Sequence, residues 1–133
     1  MNRSTSLLKC RPEIASALFF ETMSPDERFQ NATLRPIIKL QNDLFVAVFK
    51  NYVDKHKNVF YHLVIDKQID YIENAIQKDM KFRNSLKGMV IGQFTVEEYN
   101  FYITNSSALN KRMMNIVKEQ LIDNIQVFKE LVA

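Results

Sequence analysis

The sequence predicts an all-α protein, a single-domain compact helical bundle of about five or six helices, on three observations. Glycine is nearly absent, with 2 residues in 133, where average usage near 7% gives about nine. So few cannot supply the tight turns of a sandwich, a barrel or a repeated βαβ array. Apolar residues recur at three- and four-residue spacing along most of the chain, the period that keeps them on one side of a helix. Helix-starting residues, Pro12, Ser24-Pro25 and Thr95 among them, stand at the heads of those periodic runs. A composition of 47% hydrophobic and 25% charged residues fits one globular domain over residues 1–133. At this mass roughly two-thirds of the extended chain's surface can be buried, enough for a core without disulfides or metal.

Residues 1–10 offer only the pair Leu7-Leu8 and are expected to form a flexible N-terminus, far short of a secretion signal. Pro12 opens a first helix over about 12–22, with Ile14, Ala17 and Leu18 on one side. Ser24-Pro25-Asp26-Glu27 reads as a capping box that starts a short helix. Thr33 precedes a long helix with Pro36 in its first turn and Ile37, Leu40, Leu44 and Val48 along it, reaching about Lys57. Apolar on most of its circumference, it is predicted to be the central helix. The stretch 57–65 is expected to be a connecting loop packed on the core, since Val59-Phe60-Tyr61 has no strand partner nearby. Asp66 is the expected cap of a helix carrying Ile69, Ile72, Ile76 and Met80 to about Leu86, stopped by Gly88. Thr95-Val96-Glu97-Glu98 is a second capping box, heading a helix over 96–104. After Asn105-Ser106-Ser107, a last helix over about 107–131 shows the cleanest stripe: Leu109, Met113, Val117, Leu121, Ile125, Phe128 and Val132.

Several chemistries find no foothold. Phosphate-cradling loops need glycines at defined offsets, and Gly88 and Gly92 cannot provide them. Neither the Glu-x-x-His nor the His-Glu-x-x-His metal pattern occurs. His62, Asp66, Asp70 and Glu73 would share a face only if a helix began before residue 62, and Asp66 is better explained as a cap. Cys10, in a stretch expected to be flexible, lacks a held environment that would activate it as a nucleophile, and His56 reads as a surface residue at a helix end. No catalytic residue, metal or cofactor is expected. The longest apolar run, Leu44 to Phe49, is six residues where a membrane span needs about twenty. With one cysteine, no leader and no span, the expected compartment is the cytoplasm.

Two surfaces attract attention. Lys78, Lys81, Arg83 and Lys87 stand against the single acid Asp79, a local surplus as large as the chain's net +3. Residues 95–115 have a helix, three-residue turn, helix layout with Lys111 and Arg112 in the second helix, a helix-turn-helix outline without its glycine. Together they make nucleic acid a candidate partner. The last helix carries a second apolar series, Ile116, Ile122, Val127 and Leu131, beyond what one contact face needs, which points to a homodimer. Asn42, Asn51, Asn74, Asn84, Asn100, Asn110, Asn115 and Asn124 lie inside predicted helices, some as candidates for polar pairs that fix helix register or line a partner groove, with plain surface positions as the equal alternative.

The phrases Phe29-Gln30-Asn31, Leu34-Arg35-Pro36, Lys39 to Leu44, Leu86-Lys87-Gly88, Ile91 to Tyr99 and Asn110 to Asn115 resemble a family of small helical bacterial proteins of uncharacterised function. Some members carry the label glyoxalase. The resemblance implies a helical fold and assigns no site. Metal-dependent glyoxalases hold His, Glu or Gln ligands on repeated βαβββ units, and this sequence, with 2 histidines, does not support the label. The expectation is a non-enzymatic cytosolic protein binding itself or another protein, with nucleic-acid binding as the alternative. An enzyme or small-molecule sensor built from scattered polar residues is the second alternative.

Overall fold

A computed structural model describes residues 2–13 and 22–130. Among the described residues the fold is all-helical, with no strand. The nine α-helices among the described residues exceed the five or six expected because three long periodic segments are each interrupted and residues 3–10 are helical. No helix of the described residues is long and apolar enough to cross a membrane. The helix expected over 12–22 falls largely outside the described residues.

The first helix, α1 (Arg3–Cys10), occupies the stretch expected to be flexible. Asn2 caps it by accepting from the Thr5 amide, yet none of its residues is buried. It is held at its two ends instead. Arg3 donates to the carbonyls of Phe94 and Gly92. Arg11, just past its end, grips Glu98 with both terminal nitrogens and donates to the Gln93 carbonyl.

Ser24 caps α2 (Pro25–Phe29) as the sequence predicts, accepting from the Glu27 amide with Pro25 in the first turn. The chain then passes through a π-helical turn, Gln30–Leu34, into α3 (Arg35–Leu40) without leaving helical dihedrals. Thr33 therefore does not start a helix; Pro36 does sit in the first turn of α3, but that helix continues the π-helical turn instead of starting afresh. A proline inside a helix loses a hydrogen bond and presses its ring on the carbonyl four residues back. Here the Arg35 amide reaches the Gln30 carbonyl, five residues back, and that wider register accommodates Pro36. Gln41, at φ −88 and ψ 8, separates α3 from α4 (Asn42–Lys55). At the far end of α4 the Asn58 amide closes on the Val53 carbonyl while Lys57 and Asn58 take left-handed dihedrals, a Schellman-type stop without the usual glycine.

The 57–65 connection contains a 3₁₀ turn, Val59–His62, that drives Phe60 fully into the core. Next, α5 (Ile65–Lys78) begins one residue before Asp66. Asp66 is thus a first-turn acid facing the helix dipole rather than a cap. Asp79 interrupts the helix expected to reach Leu86: its carboxylate caps α6 (Met80–Ile91) by accepting from the Phe82 amide. Gly88 does not stop α6, which runs through it to Ile91. Thr95 and Glu98 form the full reciprocal capping box of α7 (Val96–Tyr102).

The last stripe is carried by α8 (Ser106–Asp123) and α9 (Ile125–Glu130), parted at Asn124. The Asn124 side chain donates to the Gln120 carbonyl and to the Asn42 side chain, competing with the helix ladder. Leu121, Ile125 and Phe128 stay buried across the break. α8 is the central helix, packed against α3, α4, α5, α6 and the π-helical turn. The predicted centre, now α3 and α4, lies beside it. Phe49 of α4 is the hub of an aromatic cluster, with ring centroids 5.1 Å from Phe60 and 4.9 Å from Phe128.

Candidate functional site

The expected contacts for nucleic acid are redistributed by the breaks in the chain. Asp79 places Lys78 at the end of α5 and the other three bases on α6. On a helix at 100° per residue, Lys81 faces away from Arg83 and Lys87. Lys81 lines a cleft of about 300 Å³ with Tyr52, His56, Asp79 and Ser85, whereas Lys78 is exposed and Lys87 half-buried.

The helix-turn-helix outline forms as local structure, α7, a turn and α8. Leu109, Met113 and Met114 turn one face of the front half of α8 into the core, and Ser107, Lys111 and Asn115 stay exposed. Asn110 accepts from the Tyr102 hydroxyl, and Arg112 donates to Gln30 on the π-helical turn. Both side chains tie elements together. Lys111, between them, is exposed.

Packing of α6 against α8 creates what neither segment shows by itself. Arg83 from α6 and Lys111 and Lys118 from α8 line one cleft of about 340 Å³. Its floor is Ile76 and Met114, and its other walls are Gln77 and Asn115. No carboxylate lines it. Among the described residues no acid lies within ion-pair distance of these three bases. Lys118 and Gln77 were missed by sequence reading. The signal was faint: Lys111 and Lys118 stand seven apart, two helical turns, on one side of α8.

The Tyr52 cleft has the most developed electrostatics of the molecule. The Tyr52 hydroxyl donates to Asp79 at 3.1 Å, and its ring stacks on His56 at 4.1 Å and packs against Phe82 at 4.2 Å. Burial, then the bond to Asp79 and that carboxylate's charge, push the Tyr52 phenol up to about 12. Asp79 is held below the usual carboxylate range, first by the Phe82 amide and also by Tyr52 and His56. Tyr52 is therefore a persistently neutral donor, the opposite of an activated nucleophile.

A cleft of about 610 Å³ lies where α3 and α4 meet the end of α8 and mixes Arg35 and Lys39 with Asp43 and Asp123. Within it the Asn42 oxygen accepts from both Gln120 and Asn124. Two of the asparagines singled out in the sequence thus pair across helices, and Asn110 pairs with Tyr102.

His62, Asp66, Asp70 and Glu73 do not converge. His62 belongs to the 3₁₀ turn ahead of α5, Asp70 pairs loosely with Lys67 at 3.9 Å, and no three such side chains among the described residues can share an ion. Cys10 is exposed at the end of α1. The expected dimer face needs correcting. Ile116 is only 7% exposed and belongs to the core, because a central helix flanked on several sides buries more than one stripe. Ile122 packs partly against the same core, Val127 is 39% exposed, and Leu131 lies outside the described residues. Comparison with protein-family models, curated proteins and solved structures finds no match for this chain.

Proposed function

We propose that this chain is a non-enzymatic, cytosolic binding protein that associates with itself or with another protein. The observation that supports the reading is an apolar strip on α7. Val96, 66% exposed, Tyr99 and Ile103 stand outward at spacing three and four, so they share one side of the helix. The strip borders a shallow apolar cleft with Ile91 and Phe94. It takes over the role that the sequence gave to Ile116, Ile122, Val127 and Leu131. Sedimentation velocity from about 1 to 100 μM, spanning the micromolar affinities of modest interfaces, tests self-association. The parent is expected to gain mass with concentration and Ile103→Asp to stay a single chain. A parent of one-chain mass throughout refutes self-association through this strip.

Nucleic-acid binding is a second reading, favoured by the unpaired bases Arg83, Lys111 and Lys118 rather than by the helix-turn-helix outline. Its signature is binding that weakens steeply between 50 and about 200 mM salt as phosphate counterions are exchanged. Kinship with the small helical bacterial proteins remains part of the proposal; it names no activity.

A further inference from the structure

We propose that the cleft between α5, α6 and α8 is a binding site for a phosphorylated ligand of nucleotide size. The proposal deepens the second reading and rests on the same three bases. Charge is the first argument. Arg83, Lys111 and Lys118 converge on one opening whose lining has no acid, so the cleft gathers like charges that a polyvalent anion would satisfy together. Geometry is the second. Arg83 is half-buried, its planar fork suited to two oxygens of one phosphate. Lys111 and Lys118 are about 10.5 Å apart along the α8 axis, at 1.5 Å per residue. That spacing suits two charges of a phosphate chain better than a single small ion.

Size and lining narrow the ligand further. A volume of about 340 Å³ lies at the small end of the roughly 300–1,000 Å³ of ligand pockets. It is room for one nucleotide and far too little for a duplex. Ile76 and Met114, only 2% and 4% exposed, close the floor, and the aliphatic stems of Lys111 and Lys118 add apolar surface beside them for a ring. Gln77 and Asn115 place amide donors and acceptors at the rim, the groups that pair with base edges. The shared chemistry is a nucleoside phosphate, met either as a free nucleotide or as one unit of a single strand.

Calorimetric titration at 50 mM salt with ADP, with inorganic pyrophosphate and with a short single-stranded RNA separates the sources. The variants are Arg83→Gln and Lys118→Gln, with Lys67→Gln, an exposed lysine on another face, as the charge control. ADP is expected to bind, with an affinity about tenfold weaker in each cleft variant, as for losing one charged hydrogen bond, and unchanged in Lys67→Gln. Shifts of the Met114 methyl resonance on adding ADP should report the same site in the unaltered protein. Pyrophosphate binding that equals ADP overturns the role given to the apolar floor. RNA binding without ADP binding overturns the nucleotide site while leaving the broader polyanion reading standing. No binding of any probe at millimolar concentration, or equal weakening in Lys67→Gln, overturns both.

Discussion

Replacing Glu98 by glutamine should loosen the protein's attachment to its own N-terminus. The Glu98 carboxylate accepts four hydrogen bonds: two from Arg11, each 2.6 Å, one from the Thr33 hydroxyl at 2.9 Å and one from the Thr95 amide at 2.8 Å. Glutamine keeps one oxygen and can still serve the capping box. It turns the other acceptor into a donor facing the Arg11 guanidinium, leaving that charge without a counterion. Removing one partner of a buried pair costs about 3–5 kcal/mol. The Arg11 and Glu98 side chains keep 7% and 16% of their exposure, so water screens part of the loss and about 2–3 kcal/mol is expected. At roughly 3–5 °C per kcal/mol for a domain of this size, Tm falls by about 6–15 °C.

A second readout comes from α1, which has no buried residue. Without the Arg11 grip its amides should exchange hydrogen much faster, while those of α8 slow or quicken only with global stability. The pH profile has a definite sign. Burial pushes the Glu98 carboxyl up, but the bonds from Arg11, Thr95 and Thr33 outweigh it and hold it below the ordinary range. The stabilisation is therefore present above the unfolded pKa of about 4.3 and is lost as pH falls through the lower folded value. The gap between parent and Glu98→Gln should close in acid. A variant melting within about 2 °C of the parent, well under 1 kcal/mol on that scale, with unchanged exchange in α1, refutes the reasoning.

Gly88→Ala should stabilise the fold by about 0.5–1 kcal/mol, because Gly88 is an exposed position inside α6 and an added Cβ meets nothing within 4 Å; chemical denaturation measures it. Lys57→Gly should also stabilise, by about 1 kcal/mol, since Lys57 pays the left-handed penalty at φ 64 that glycine escapes, and the same denaturation curves decide it. One phenol should titrate near 12 by ultraviolet absorbance and move toward 10 in Asp79→Asn, because burial and the bond to Asp79 raise Tyr52. As Tyr52 is raised on folding, its contribution to stability is complete below pH 10 and disappears as pH climbs to about 12.

What the sequence made legible was decided within a few residues. Ser24 and Thr95 announced their helices because a hydroxyl three positions before a glutamate satisfies donors locally. The all-α class followed from periodicity that no turn chemistry contradicted. The interruptions at Gln41, Asp79 and Asn124 were not read from the sequence, because the apolar stripes continue through them; the Asp79 cap on the Phe82 amide is local, whereas the other two residues bond distant partners. Asn124 turns aside toward Asn42, and Gln41 reaches the Met89 carbonyl. Lys57 in a left-handed position was equally hidden, since glycine is the residue that signals such a stop.

The same distinction separates the candidate sites. A helix-turn-helix outline is a statement about neighbours in sequence, and it formed; whether its second helix is free to meet a ligand depends on what packs over it. Leu109, Met113 and Met114 turn into the core, and four other helices pack on α8, while Ser107 and Lys111 stay exposed. Burial therefore moved the bases that matter to the side of α8 left open beside α6. Arg83, at 28 residues from Lys111 in sequence, joins that side only because α5 and α6 fold back along the central helix. A cleft lined by three helices, with its charges from α6 and α8, follows from packing, so its residues could be seen singly in the sequence but its shape could not.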